Sequence, residues 1–246
     1  MIQTEGIFVG GSAISAPIIG EDFNWSGGDG TYQVLDDGGS NWRIKFLSSG
    51  TFTPLKNMVI DAFLVGGGGG AGSSYCGEGG AGYTTTVRSV VLTANTTYPI
   101  VVGAAGKNIT DGSLNGTDGG TTSAFAASAL GGKGSKRGYN TSKQPGADGG
   151  SGGGGLNVSG VHANYSTAAG GTDGGDGTTA TTAGGKGQGT TTREFGEADG
   201  DLYASGGGSN LTATVSNSGN GGRNGITSIE PADGIVVIRQ HKEVAA

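Results

Sequence analysis

The chain has 246 residues, of which 57 are glycine and one is cysteine, and its net charge is −6 at pH 7. This acidic balance disfavours nucleic acid and anionic membrane surfaces as partners, because phosphate binding requires a basic face. The lone Cys76 excludes an intrachain disulfide and a thiol-rich metal site, and we expect it to be a small buried side chain.

The first residues contain neither a basic start nor a continuous apolar segment, so we expect no signal peptide. No apolar run is long enough to cross a bilayer, so we expect no membrane insertion. Strands are predicted at 31–35, 41–47 and 56–65, and a turn followed by a short strand within 48–54. The alternation in 41–47 predicts one face turned inward, carrying Trp42, Ile44 and Phe46, and one face in water, carrying Arg43 and Lys45.

From residue 66 onward, glycine clusters alternate with strands rich in β-branched residues. The clusters lie at 66–72, 77–82, 131–134, 149–155, 170–177, 184–189, 206–208 and 219–225. Between them, 82–103 is predicted to be a hairpin around the turn "TANT", and 119–132 a shorter hairpin. The segment 233–241 is predicted to be a terminal strand buried on both faces.

The glycine clusters fit neither a phosphate loop nor a flexible linker. The Gly-Lys pairs are followed by Asn108, Gly134 and Gly187, whereas a phosphate loop needs Ser or Thr after the lysine. Flexible linkers do not alternate repeatedly with strands. Extended helices with three residues per turn can instead pack until their backbones bond one another, because glycine has no Cβ.

The predicted fold class is therefore all-β. Strands and hairpins combine with a bundle of glycine-rich extended helices, similar to polyglycine II, with little or no α-helix. Its central structural glycines are predicted to be Gly66, Gly67, Gly68, Gly69, Gly70, Gly152, Gly153, Gly154 and Gly155.

The order of several segments resembles the glycine-rich domain that is common in tail proteins of bacteriophages and prophages. These segments are "NWRIKFLSSGTFTP", "MVIDAFLVGGGGGAG", "GYTTTVRSVVLTANTTYPIVVGAAG", "GGTTSAF", "GQGTTTREFGEADGDLYASGGG" and "DGIVVIRQ". The resemblance runs from about residue 41 to residue 240. It implies a distal component of a virion tail, found outside the cell after host lysis, with other tail proteins as partners and a homotrimer as one possible assembly.

The chain divides accordingly into an attachment or strand segment at 1–40, the glycine-rich domain at 41–241 and a tail at 242–246. If the glycine helices form a rigid stack, the segments that join them are the places where binding residues are expected. Three joining segments carry tyrosine beside polar neighbours, which suits contact with a bacterial surface glycan or surface protein. The receptor-contact candidates are Tyr75, Glu78, Arg137, Tyr139, Asn140, His162, Asn164 and Tyr165. Alternatively, the tyrosines only cover the ends of the stack.

We predict no catalytic, metal or cofactor residues, and we expect that the protein is not an enzyme. His241 is interpreted as a solvated end, and no nucleophile elbow accompanies His162. The acidic residues in 111–120 and 172–177 are typical of turns rather than of a calcium site. Three alternatives to host recognition stay open: a purely structural tail protein, an ice-binding protein and a glycan depolymerase.

Overall fold

A computed structural model describes residues 8–9, 12–13, 22–38, 41–73, 76–110, 114–137, 145–155, 191–208, 214–223 and 229–241. The strands are β1 (Phe8–Val9), β2 (Ser12–Ala13), β3 (Phe23–Trp25), β4 (Tyr32–Asp36), β5 (Trp42–Phe46), β6 (Gly50–Pro54), β7 (Met58–Val65), β8 (Thr84–Leu92), β9 (Tyr98–Val101), β10 (Thr122–Ala124), β11 (Ala127–Ala129) and β12 (Ile235–Gln240). The helical content of these residues is one 3-10 turn at Glu194–Gly196, so the predicted all-β class is confirmed.

The strands form two five-stranded antiparallel sheets and a separate pairing of β1 with β2. Sheet I has the order β11-β10-β9-β6-β3, and sheet II has the order β4-β5-β12-β7-β8. Both sheets therefore include a strand that precedes residue 41: β3 lies at the edge of sheet I and β4 at the edge of sheet II. The division of the chain at residue 40 stays a prediction.

The two sheets face each other across an apolar core. Sheet I contributes Phe23, Phe52 and Ile100, and sheet II contributes Ile44 and Phe46 among others. Their rings pack at centroid separations of 5.2 Å for Phe23 with Phe52 and 5.6 Å for Phe46 with Phe52. This is the arrangement expected when alternating strands bury one face each in a two-layer structure.

The outer face of sheet II is covered as well, by the segment 191–204. Phe195 and Tyr203 of this segment pack on Phe63 of β7, at centroid separations of 6.2 and 5.5 Å. Val237 of β12 belongs to the same cluster. The central strands β7 and β12 are therefore buried on both faces, which confirms the prediction for 233–241.

The same cover makes the prediction for Arg43 and Lys45 wrong. These side chains do not extend into water, because they meet Glu194, whose side chain is 2% exposed. Lys45 Nζ lies 2.9 Å from Glu194 Oε1, and the Tyr203 hydroxyl donates to the same oxygen at 3.0 Å. Burial alone lowers the pKa of Lys45, but the neighbouring Tyr203, Asp201 and Glu194 outweigh it and raise that pKa.

The predicted hairpin at 82–103 is also wrong. β8 pairs with β7 in sheet II, whereas β9 pairs with β6 and β10 in sheet I. The short polar segment 93–97 therefore connects two sheets instead of turning a hairpin. The second predicted hairpin is confirmed, because β10 and β11 pair antiparallel around a turn at Phe125 and Ala126.

Beyond the sheets, the chain continues as extended tracts, which we number in sequence order. They are tract 1 (66–72), tract 2 (76–83), tract 3 (102–110), tract 4 (114–121), tract 5 (130–137), tract 6 (145–155), tract 7 (203–208), tract 8 (218–222) and tract 9 (229–234). Six consecutive amides of tract 2, at 78–83, donate in strict rotation to three neighbours: tract 6, tract 8 and tract 5. A rotation of three is the period of an extended helix with three residues per turn.

Tract 1 lies at the centre of this bundle. It donates backbone hydrogen bonds to tracts 2, 4 and 9, and it accepts them from tracts 3, 5 and 8. The donors Gly66 and Gly69 both reach tract 2, at N–O distances of 3.0 and 2.8 Å, and Gly67 and Gly70 both reach tract 4, at 3.0 and 2.9 Å. Backbone groups that would otherwise be buried without partners are thus satisfied laterally.

Glycine is required at these positions because the neighbouring backbones lie where a side chain would begin. A Cβ built on Gly68 would lie 1.8 Å from the carbonyl oxygen of Asn220, and one on Gly66 would lie 2.0 Å from that of Leu130. A Cβ on Gly153 of tract 6 would lie 2.2 Å from the carbonyl oxygen of Glu78. Such distances are far below any van der Waals contact, so the bundle depends on the missing side chains.

Candidate functional site

The tracts gather their outer termini at one end of the molecule, which we call the bundle end. The strands β7, β9 and β11 each continue into a tract that leads away from the sheets. The strands β8, β10 and β12 each follow a tract that leads back to the sheets. The hydrogen-bond register agrees, because tract 1 runs parallel to tracts 3 and 5 and antiparallel to tracts 2 and 4. The residues that close the bundle end therefore come from distant parts of the sequence.

Polar side chains tie these termini together. Asn108 accepts from the Ala71 amide at 2.8 Å, and its Nδ2 donates to the carbonyl oxygens of Arg223 and Ile229 at 3.0 and 2.8 Å. The Ser73 amide donates to the carbonyl oxygen of Leu114 at 3.1 Å. Three regions of the chain are thus held at fixed separations by one asparagine.

Two of the predicted receptor-contact residues lie among the described residues. Arg137 is at the bundle end, where its amide donates to Asn115 Oδ1 at 2.8 Å. Glu78 is different, because it is 5% exposed within tract 2. The expectation that Glu78 lies in an exposed joining segment is wrong, because tract 2 is bonded to tracts 1, 5, 6, 7 and 8 and these neighbours cover it.

The other receptor-contact candidates lie outside the described residues. They are Tyr75, Tyr139, Asn140, His162, Asn164 and Tyr165. In the sequence, Tyr75 falls between tracts 1 and 2, and Tyr139 and Asn140 fall between tracts 5 and 6, whose described termini are at the bundle end.

The prediction that Cys76 is buried is confirmed. Its thiol donates to the carbonyl oxygen of Gly72 at 2.7 Å. Burial, with the Glu78 carboxylate nearby, raises the pKa of this thiol to about 11.

A second cluster of polar groups lies on the outer face of sheet II, away from the bundle end, and the sequence did not predict it. His241 is not a solvated end: its Nδ1 lies 2.6 Å from Oδ1 of Asp61, and its Nε2 lies 3.1 Å from the hydroxyl of Ser89. Asp61 is fully buried, His241 is half-buried and Ser89 is exposed. The signal in the sequence was an aspartate within the apolar strand β7, since a buried carboxylate needs partners.

Two arginines complete the surroundings of Asp61. Arg239 Nε and Arg88 Nη1 each lie 3.2 Å from Asp61 Oδ2. Burial acts to raise the pKa of Asp61, but hydrogen bonds from His241, the Ser89 amide and Arg239 outweigh it, so that pKa is lowered. Asp61 is therefore a carboxylate at neutral pH and accepts hydrogen bonds from β8, from β12 and from His241, which follows β12.

Beside this cluster, a cavity of about 640 Å³ opens between the two sheets. Most of its lining is apolar or aromatic, and His241 forms part of its wall. The apolar and aromatic lining residues are Phe23, Trp42, Ile44, Phe52, Met58, Val59 and Val91.

Within the described ranges, no group of three or more His, Cys, Asp or Glu side chains is arranged to hold a metal ion. None of the helical segments among the described residues is long and apolar enough to cross a membrane.

Fold and tract packing together define an all-β protein in which a sandwich of two sheets continues into a laterally bonded glycine bundle. The chain belongs to the glycine-rich domain family, whose model matches residues 47–239. No curated protein shows a significant match to the chain.

Proposed function

We propose that the protein is a distal bacteriophage tail component that recognises the host cell surface through the bundle end. The observation that carries this proposal is the gathering of tract termini at one end of a laterally bonded bundle. A rigid base reduces the entropy lost when the segments it carries bind a partner, which favours affinity. The recognition needs no chemical step.

Several features support the bundle end as the contact surface. Asn108 fixes the separations of three tract termini, and Arg137 lies at the same end, where its amide is bonded to Asn115. In the sequence, the candidates Tyr75 and Tyr139 fall between tracts whose described termini lie at this end. Tyrosine and arginine together suit both glycans and protein surfaces, because they combine flat apolar area with hydrogen-bond donors.

The assignment to a virion tail rests on the order of motifs, and it carries three further expectations. The protein is expected to assemble with other tail proteins, to be found outside the cell after host lysis and to be a candidate for a homotrimer. A mass measurement by light scattering on the purified protein tests the last expectation.

The test of recognition is binding of the fluorescently labelled protein to host bacteria, measured by flow cytometry. We expect the triple variant Tyr75→Ala, Tyr139→Ala, Tyr165→Ala to lose at least tenfold in binding. Thr96→Ala is the matched control, since it removes an exposed polar group between β8 and β9, at the opposite end of the sheets.

Treating the cells separately with protease and with periodate distinguishes a surface protein from a glycan as receptor. Unchanged binding of the triple variant would refute recognition by these tyrosines. No binding by the parent protein, with normal folding, would favour a purely structural tail protein.

A further inference from the structure

We propose that Ser89, His241 and Asp61 form a nucleophilic site that is acylated by carboxylic esters and hydrolyses them. This inference goes beyond host recognition and does not depend on it. It replaces the expectation that the protein is not an enzyme, because that expectation treated His241 as a solvated end.

The three side chains form a hydrogen-bonded series from acid to base to nucleophile, namely Asp61, His241 and Ser89, as the activation of a serine hydroxyl requires. Asp61 accepts the Nδ1 proton of His241 at 2.6 Å, which leaves Nε2 as an acceptor for the Ser89 hydroxyl at 3.1 Å. Burial decreases from the Asp61 carboxylate through the His241 imidazole to the exposed Ser89 hydroxyl. This order suits a nucleophilic site, since only the nucleophile has to meet solvent and substrate.

The backbone holds Ser89 in an unusual conformation. The register of β7 with β8 shifts between Ile60 and Ala62, so an irregularity lies opposite Asp61. Ser89 has φ of 57°, in the left-handed region that non-glycine residues rarely adopt. Strain of this kind persists only where its surroundings enforce it, and here the Ser89 amide also donates to Asp61 Oδ1 at 3.2 Å.

The two arginines beside Asp61, Arg239 and Arg88, are held in place by further contacts of their own. Arg239 is bound to Glu197 at 2.7 Å as well as to Asp61, and its guanidinium lies 4.1 Å from the centroid of the Phe195 ring. Arg88 also donates to the carbonyl oxygen of Phe195. Asp61 is therefore held in place independently of His241, so it orients the imidazole and stabilises the imidazolium that forms during proton transfer.

The cavity beside His241 points to the class of substrate. Its volume of about 640 Å³ and its aromatic and aliphatic walls suit an apolar acyl or aryl group. Ser89 does not line the cavity, but His241 lines it and also contacts the Ser89 hydroxyl. The proposal therefore requires an ester that extends from the cavity past the imidazole of His241 to the hydroxyl. The substrate class is thus an ester of a short to medium apolar acid.

The overall reaction consumes one ester and one water, releases an acid and an alcohol, and needs no other co-reactant. His241 Nε2 takes the Ser89 proton while Oγ bonds to the carbonyl carbon, and the ester C–O bond breaks as Nε2 returns that proton to the departing alcohol. Water then gives a proton to Nε2 and adds to the acyl carbon, and the acid leaves as Ser89 recovers its proton.

The experiment uses the full chain with two probes: p-nitrophenyl esters, and an alkyl fluorophosphonate whose adduct is located by mass spectrometry. We expect one adduct on Ser89, which is absent in Ser89→Gly. Glycine suits the left-handed backbone, so this variant keeps the fold. His241→Gln is expected to slow adduct formation and hydrolysis at least about 100-fold, the usual contribution of a general base.

Ser128→Ala is the matched control, because Ser128 is another exposed serine on a strand at a sheet edge, and it should react as the parent does. From acetate to butyrate, kcat/KM should rise by about fourfold for each methylene that the cavity buries. Circular dichroism of each variant verifies folding. The proposal is overturned by no adduct, by an adduct at another residue, or by a folded His241→Gln that reacts at the parent rate.

Discussion

At the scale of single residues, the close approach of backbones makes a direct prediction for Gly68. Replacement by alanine would drive a methyl group into the carbonyl oxygen of Asn220, which lies 1.8 Å from the Cβ position. Because that neighbour is backbone held in the bundle, we expect Gly68→Ala to lower the free energy of unfolding by about 3 kcal/mol or more. Urea unfolding followed by tryptophan fluorescence measures this.

Gly30→Ala is the control for this substitution. Gly30 has open space around the Cβ position and φ of 74°, so alanine there costs about 1–2 kcal/mol of backbone strain alone. Equal losses for the two variants would show that steric exclusion in the bundle contributes nothing.

The buried carboxylate of Glu194 gives a second prediction. Glu194→Ala removes the partner of Lys45 and Arg43 and an acceptor of the Tyr203 hydroxyl. Breaking a buried ion pair on one side leaves charge without compensation, so we expect a loss of about 3 kcal/mol in unfolding free energy. Asp118→Ala, which breaks the exposed pair with Lys133, should cost less than about 1 kcal/mol. A reversed order in thermal or urea unfolding would contradict the structure.

Cys76 gives a third prediction, on reactivity. Because burial and Glu78 raise the pKa of its thiol from 9.0 to about 11, the thiolate fraction at pH 8 falls about 100-fold. Ellman's reagent at pH 8 should therefore react at least about 100-fold more slowly with the folded protein than with the protein in urea. Equal rates in the two states would mean that tracts 1 and 2 do not cover the thiol.

At the scale of elements, the tracts themselves are testable by amide hydrogen exchange. The amides of 66–70 and 78–83 all donate to backbone carbonyls of neighbouring tracts. We expect them to exchange as slowly as those of β7 and β12, since opening any of them requires the bundle to separate. Exchange at the rates of an unfolded chain would show that lateral bonding is not the basis of the fold.

The sequence predicted elements better than it predicted how they pair. Composition and alternation gave β5, β6, β7 and β12, and the glycine clusters gave extended tracts, because both signals are local. The pairing of β8 and β9 was wrong because a short polar segment looks the same whether it turns a hairpin or crosses between sheets.

The side-chain sites were harder still to predict. Arg43 and Lys45 alternate with apolar neighbours as a solvated face does, and only the segment around Glu194, about 150 residues later, changes their environment. His241 was misjudged for the same reason, because its partners Asp61 and Ser89 lie in other strands of the sheet. Contacts between residues far apart in sequence leave no periodic trace.

At the scale of the whole molecule, the sandwich and the bundle are joined by continuous chain and by hydrogen bonds to each other's backbone. β7 becomes tract 1 without a break, and the Thr122 hydroxyl of sheet I donates to the carbonyl oxygen of Val65 at 2.6 Å. Asn217 Nδ2 donates to the carbonyl oxygen of Leu47 in the sheet region and to that of Gly234, the last residue of tract 9, at 2.9 Å each. Neither part can lose its order without exposing buried backbone groups of the other.

We therefore predict that sandwich and bundle unfold in a single transition. Trp25 packs on Phe46 in the sandwich, at a centroid separation of 4.7 Å, so tryptophan fluorescence reports on the sheets. Cys76 is the first residue of tract 2 and its buried thiol bonds to Gly72 of tract 1, so its reactivity during brief pulses of thiol reagent reports on the bundle. Measured across one urea series, the two probes should give the same midpoint and slope, as a two-state transition requires. A thiol that becomes reactive at lower urea than the tryptophan change would mean that the bundle is a separate unit, held only by its own hydrogen bonds.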